Sequence, residues 1–460
     1  MEPVTIGLTA LVVTVILLAL RIPVAAALAS VAGIGIFLVH AAGGDAAGGD
    51  AAGGDAGGAI GAPTAPLAGV LSQTAADMAS AVAGLVTGAD LWVLPLVVML
   101  GNIAFYTGIT TRIYDAAAIW LRPVPGGLAM ASVLGCGGFS AISGSSIACA
   151  STMGRICVPE MLRLGYDPRL ATSSVAVGGT LGALIPPSVL FILYGIFTGT
   201  PVGPLFLAGI LPGLLSLAGM LLVIGWWVIQ DPGAAPAGEA DSASRAEAAL
   251  AVWPAVLLFA VIVGGIWGGL LTATGAAAVC VVLTIAIGFA QGRLAPDVLW
   301  RAIRETLMQT AGLVLIAAAA AVFVSFVALS GAAGAVAGWV QGAGLSFGVM
   351  MLCVVLIFIV LGMFLEPIGI LVLTLPLMAP LVEGYGLSLI WFGVVTVKLL
   401  EIGLITPPVG LNVFVVSNVT RSVRIDTIFA GVWRFLFADL LVLALLILFP
   451  LISLLLPGLM

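Results

Sequence analysis

Runs at 4–20, 22–39, 92–110, 170–199, 204–229, 251–269, 273–290, 311–330, 390–418 and 427–456 are apolar. Each has roughly the length that a helix needs to cross a bilayer, about 20 residues. Composition agrees: 62% of the 460 residues are apolar and 7% charged, against about 25% charged in soluble domains. So little polar surface cannot cover a water-soluble core. The sequence therefore predicts an all-α polytopic membrane protein with about ten transmembrane helices. Its 60 glycines suit close helix approach and breaks at membrane depth.

Several function classes drop out. The net charge of −6 comes with no basic tract, so nucleic-acid binding has no support. Cys136, Cys149, Cys157, Cys280 and Cys353 stand singly and read as buried small residues. His40 is the only histidine, which removes most metal sites and histidine acid–base chemistry. There is no H-E-x-x-H, G-x-S-x-G or GxxxxGK[ST], and no paired intramembrane aspartates, so neither an intramembrane enzyme nor an ATPase is expected. Glu2 stands where a positive leader would begin, and no cleavable signal is expected.

Two further apolar stretches, 126–160 and 346–383, are broken near their middles by Gly, Ser, Glu and Pro and read as re-entrant hairpins. With the N-terminus outside, Arg21, Arg112, Arg122, Arg155, Arg163, Arg169, Arg245, Arg293, Arg301, Arg304, Arg421 and Arg424 all face the cytoplasm. Arg434 lies within snorkelling reach of that side. Both termini are then periplasmic, with the first hairpin entering from the cytoplasm and the second from the periplasm. Residues 41–55 are three copies of AAGGD. Their period of five is not that of the known nine-residue calcium repeat, and a flexible external loop is expected. Residues 112–122 and 296–310 predict helices lying at the cytoplasmic face. The domain reading is 1–89 for the N-terminal spans, 90–229 for a first repeat and 230–248 for a polar linker. Residues 249–418 form a second repeat and 419–460 a C-terminal span.

At an offset of 221, Pro159 meets Pro380, Gly165 meets Gly386, Gly182 meets Gly403, and Pro186-Pro187 meet Pro407-Pro408. At 230, Gly101 and Gly108 meet Gly331 and Gly338. The two halves cross in opposite directions, an inverted-topology repeat in which each half holds one hairpin and one Pro-Pro-broken helix. A Pro-Pro pair removes two N–H donors, so carbonyls near Gly182–Ile185 and Gly403–Thr406 lose their helical partners. Freed carbonyls and hydroxyls at mid-membrane are ligands for a hard cation such as sodium. The hairpin tips, Gly138–Ser146 and Gly362–Gly369, add helix-end dipoles for an anionic substrate or a cation. Ser188 and Asn412, just past the breaks, either join the site or satisfy local backbone.

Among intramembrane ionisable residues, Glu366 at the second tip is placed to neutralise a cation. Lys398 and Glu401, three apart, either neutralise each other or frame the path. Asp439 is expected to pair with Arg434 or with a partner subunit.

GFSAISGSSIACASTMGRICVPEMLRLGYDPRLATSSVAVGGTLGALIPPSVLFILYG, with WFGVVTVKLLEIGLITPPVGLNVFVV, resembles the large membrane subunit of the tripartite ATP-independent periplasmic (TRAP) transporters, the DctM type. The resemblance covers about 90–460. It implies an elevator-type secondary transporter of the bacterial inner membrane, driven by a sodium gradient, with no cofactor besides the coupling ions. It further implies a periplasmic binding protein that delivers an organic anion, and a small four-helix membrane subunit (DctQ type) on a separate chain. By the family's pattern one sodium site uses Ser143, Ser145, Gly179, Gly182 and Pro186, and a second uses Glu366, Gly403 and Thr406. Substrate lies between tips and breaks, against Ser140, Ser146, Pro187, Ser188, Pro408 and Asn412. Glu366 departs from the pattern, since Asp is expected there in many relatives. A stand-alone sodium/dicarboxylate carrier of related architecture and a purely structural scaffold are the competing readings.

Overall fold

The computed structural model describes residues 2–43, 67–236 and 244–460; of the AAGGD copies only Ala41–Gly43, the end of α2, fall among them, and the rest lie outside the described residues. Helices α1 (Pro3–Ala19) and α2 (Val24–Gly43) form a pair, followed by α3 (Leu67–Thr87) and α4 (Val93–Tyr106). Next come α5 (Ile109–Leu121), the hairpin α6 (Gly127–Ser143) and α7 (Ser146–Arg163), and a broken segment α8 (Pro168–Gly178), α9 (Leu181–Leu184) and α10 (Val189–Thr198). Helix α11 (Val202–Gln230) closes the first half. The second half holds α12 (Arg245–Ala251), α13 (Trp253–Trp267), α14 (Ala273–Ala290), α15 (Pro296–Leu329) and α16 (Ala332–Gly342). Then follow the hairpin α17 (Phe347–Gly362) and α18 (Pro367–Gly384), the broken segment α19 (Leu389–Ile405) and α20 (Leu411–Thr420), α21 (Ile425–Leu448) and the short α22 (Leu451–Leu454).

Every expected span coincides with a helix or a broken helix. Among the described residues eight are long and apolar enough to cross a membrane, or nine with the bent pair α12–α13. One of the eight, α18, is a hairpin arm, while α1 at 17 residues is short and α19–α20 is divided by its break.

Four features differ from the sequence reading. Helix α3 was not expected, because Ser72, Gln73, Asp77 and Ser80 interrupt its apolar pattern. It packs on α2 and α15, and His40 Nε2 lies 2.7 Å from Asp77 Oδ2. Residues 296–310 are not a separate surface helix: nothing between Pro296 and Gly312 breaks the ladder, so they continue into the 34-residue α15. The glycine correspondence at offset 230 is replaced. Gly108 (φ +71°) opens α5 and Gly331 (φ +70°) opens α16, and a left-handed turn that glycine alone takes easily makes these two the counterparts. The polar linker is structured at both ends: Ala234 accepts from the Asp167 N–H at 2.8 Å, and Arg245 stacks on Trp120 at 5.8 Å while its carbonyl accepts from Trp120 Nε1.

An ionic cluster sits in the core between α11, α19 and α21. Lys398 Nζ donates to Asp439 Oδ1 at 2.6 Å, to Ser216 Oγ at 3.1 Å and to Glu401 Oε2 at 3.4 Å, and all four residues are buried. Asp439 therefore pairs with Lys398, not with Arg434. Arg434 lies 3.8 Å over the Trp227 ring, because its guanidinium finds an aromatic face on α11 closer than a carboxylate. Lys398→Met strands two buried carboxylates and is expected to lower stability by about 3–5 kcal/mol. Arg434→Gln loses only the stacking, about 1 kcal/mol. Thermal unfolding of the two variants side by side measures the difference; equal losses would mean that the cluster is not a core element.

Candidate functional site

Pro186 and Pro187 have no N–H, so the carbonyls of Gly182 and Ala183 lose the donors four residues on. The chain turns extended at Ile185 (ψ 122°) and resumes as a helix after Ser188, whose Oγ accepts from the Phe191 N–H at 3.3 Å. In the second repeat Pro407 and Pro408 release Gly403 and Leu404 in the same way, the chain extends at Thr406 (ψ 133°), and α20 starts past Gly410. Both Pro-Pro peptide bonds are cis. The Gly403 carbonyl keeps one short-range partner, the Thr406 N–H at 3.3 Å.

The first hairpin tip is built onto the first break. Gly144 (φ +63°) turns the chain, and its carbonyl accepts from the Val189 N–H at 3.3 Å. A Cβ on Gly144 would lie 2.4 Å from the Pro187 carbonyl oxygen, and one on Gly182 2.9 Å from the Ser145 carbonyl carbon. A Cβ on Gly179 would meet Ala150 at 2.9 Å. Ser145 caps α7, accepting from the Ala148 N–H at 3.4 Å, and Ser146 Oγ reaches the Thr180 carbonyl at 3.5 Å. Ser143 is buried and its Oγ has no hydrogen-bond partner among the described residues. Ser140 lies deeper, 3.9 Å from Cys149 Sγ. Thus Ser145 and Ser146 meet Gly182, Gly179 packs on Ala150 of α7 and Pro187 on Gly144 of the tip, with Ser143 adjoining, while Ser140 faces away and Ser188 is a helix cap.

At the second break, Gly362 of the hairpin and Gly403 stand back to back, each Cβ position 2.8 Å from the other's Cα. Glu366 precedes Pro367 at the start of α18, is exposed, and makes no hydrogen bond or ion pair among the described residues. Its stem lies by Gly369, beside Leu18 and Val24 at the α1–α2 corner. No hydrogen bond joins it to Gly403 or Thr406; Thr406 Oγ1 donates to the Ile402 carbonyl at 2.6 Å. Asn412 is buried, donating from Nδ2 to the Ala176 carbonyl of α8 at 3.2 Å while its Oδ1 has no partner.

The repeats interlock. Helix α7 of the first hairpin packs along α20, and α18 of the second along α10, so each hairpin holds the post-break helix of the other repeat. Glu401 closes the centre, its carboxyl beside the backbone N–H of Leu184 in the first break. Sequence reasoning missed the parts of Thr180, Ala176 and Leu184, because their backbone groups carry no side-chain signal. The resulting unit offers carbonyl and hydroxyl oxygens in a dry interior, and among the described residues no cluster of His, Cys, Asp and Glu accompanies them.

The sequence profile of the family described as "Tripartite ATP-independent periplasmic transporter, DctM component" matches residues 11–452. The C4-dicarboxylate TRAP transporter large permease protein DctM of Pseudomonas aeruginosa is 36% identical over 373 residues, 79% of this chain and 85% of that protein. The sialic acid TRAP transporter large permease protein SiaM of Vibrio cholerae is 30% identical over 367 residues, 80% of this chain and 86% of that protein. Among solved structures, the YdaH transporter of Alcanivorax borkumensis superposes with a TM-score of 0.60 at 15% identity, over 90% of this chain and 96% of that one. At that identity the likeness is one of fold.

Gly403→Ala places a methyl group against the Gly362 backbone and is expected to cost about 1–3 kcal/mol. Gly338→Ala, where nothing lies within 4 Å, serves as the control. Equal melting temperatures for the two variants would show that the second tip and break are not in contact.

Proposed function

The chain belongs to the DctM component family of the tripartite ATP-independent periplasmic transporters, and we propose that it is the large transmembrane subunit of a sodium-coupled carrier that imports an organic anion. Membership and the helical fold make it a multi-pass inner-membrane transport protein and not an enzyme. The observation that carries the proposal is the pair of broken helices, each depriving two carbonyls of their donors four residues on and each lying against a hairpin tip. Two buried oxygens beside them, Ser143 Oγ and Asn412 Oδ1, have no partner among the described residues.

Unpartnered neutral oxygens in a dry interior suit sodium, which takes carbonyl and hydroxyl ligands at such breaks. Ser143, Ser145, Gly179, Gly182 and Pro186 would hold one ion. Gly403 and Thr406 would hold the second, with Glu366 supplying the carboxylate at that tip. A bound cation supplies the positive charge that draws a carboxylate substrate into the unit, between Ser146 and Pro187 on one side and Pro408 and Asn412 on the other. The remaining two residues carried by the resemblance are set aside, because Ser140 points into the helix pair and Ser188 is occupied as a cap.

The interlocked hairpins and broken helices would move as one body against α1, α2, α4 and α15, an elevator in which α5 and α16 are the jointed arms. The arginine distribution favours a periplasmic N-terminus and C-terminus. A periplasmic binding protein would deliver the solute, a small membrane subunit would complete the scaffold, and the named solutes of DctM and SiaM differ, so that selection would rest chiefly with the binding protein.

Unfolding is compared in about 100 mM sodium and about 100 mM potassium. A site of roughly 10 mM affinity adds about 1.4 kcal/mol in sodium alone. Ser145→Ala and Thr406→Ala are expected to abolish that gain, and its persistence in both would remove the breaks as the ion sites. Glu366→Gln is expected to weaken the sodium dependence of uptake into proteoliposomes; unchanged dependence excludes Glu366 from the second site.

A further inference from the structure

Two arginines meet at the corner where α4 gives way to α5. Arg112, one turn into α5, donates to Gln291 Oε1 of the α14–α15 connection. Arg293 of that same connection reaches back to the Thr107 carbonyl at the C-terminal end of α4, 3.5 Å away. Its Nη1 lies 3.0 Å from where a Cβ on Gly108 would stand. Each guanidinium thus has one neutral acceptor and most of its five donors unspent.

No carboxylate lies within ion-pair distance of either among the described residues. The candidates nearby are engaged: Glu305 accepts from Tyr106 at 2.6 Å, Asp297 pairs with Arg301 at 2.6 Å, and Glu160 accepts from Tyr114 and Arg122 at 2.8 and 2.6 Å. Asp115, the remaining acid of α5, has Glu160 as its charged neighbour. Burial and the neighbouring Arg293 hold Arg112 below the ordinary arginine range. Phe105 and Phe289 are exposed in the last turns of α4 and α14, presenting apolar surface at the same corner.

We propose that Arg112 and Arg293 form a binding site for the phosphate of an anionic phospholipid headgroup, seated at the Gly108 joint with its acyl chains along Phe105 and Phe289. A phosphodiester accepts several N–H donors at once and relieves the repulsion between the two cations. The acyl chains separate this ligand from a free phosphate, for which the exposed phenylalanines are no help. The site is the α4–α5 joint, and α5 runs along hairpin arm α6, so an occupied site would steady the arm beside the first break. Only the choice of leaflet rests on the orientation proposed above.

The test uses the full chain in nanodiscs of phosphatidylcholine with or without phosphatidylglycerol, read by native mass spectrometry and by thermal unfolding. Phosphatidylglycerol is expected to be retained and to raise the melting temperature. Arg112→Gln/Arg293→Gln is expected to bind it about thirty-fold more weakly, two charges' worth. Arg112→Lys/Arg293→Lys, which keeps the charge, retains part of the binding and guards against a folding defect. Equal retention in the Gln variant overturns the site, and an equal shift from inorganic phosphate or glycerol phosphate overturns the lipid. Neither readout depends on sodium, so loss of the sodium effect at the breaks leaves this result standing, and the converse.

Discussion

A backbone carbonyl in hydrocarbon has no water to turn to, and the rest of this architecture follows from taking the helical donors away from several. Pro186-Pro187 and Pro407-Pro408 interrupt two segments at membrane depth, where an unsatisfied polar group costs several kcal/mol. Such a break is tolerable only inside protein. The most apolar stretch of the first broken segment is accordingly 94% buried, against 39% for that of α15. The hairpins supply that cover, and they need glycine to do it. At Gly144, Gly182 and the Gly362–Gly403 pair the backbones approach closer than any side chain allows.

Because each hairpin also holds the other repeat's post-break helix, the breaks cannot open separately. The Asn412–Ala176 bond and the packing of Glu401 beside Leu184 tie them across the pseudo-symmetry axis. The Lys398–Asp439 pair extends the tie to α21 and, through Ser216, to α11. A buried ion pair of this kind adds little net stability over an apolar core, yet breaking it is costly, which makes it a device for fixing one arrangement of helices. Outside this tied centre the chain turns at Gly108 and Gly331, where left-handed glycines separate α4 from α5 and α15 from α16.

What the sequence made legible was whatever depends on covalent chemistry and period. The apolar runs, the Pro-Pro breaks and the correspondence of Gly165 with Gly386 are local properties, and the latter pair indeed share a left-handed conformation (φ +83° and +69°). Partners chosen by tertiary packing were not legible. Asp439 lies 41 residues from Lys398 and five from Arg434, so sequence distance favoured the wrong cation. Helix α3 escaped because its buried residues, Val70, Thr74 and Leu85, are too few to write a stripe. Which glycine matched which across the repeat was likewise decided by a backbone angle and not by spacing.

The two breaks also differ in their surroundings, for all their likeness of form. At the first break Ser143, Ser146 and Ser188 are buried and the glycine contacts are close, with Ser145 half-buried at the tip. At the second, Glu366 is exposed beside the α1–α2 corner while the break behind it is tightly packed. A carboxylate carries its own charge and tolerates water, whereas hydroxyl and carbonyl ligands compete with water poorly and need it excluded. On the reading proposed above, the two breaks would therefore ask for different ligands: hydroxyl and carbonyl oxygens behind close packing at the first, a carboxylate at the second.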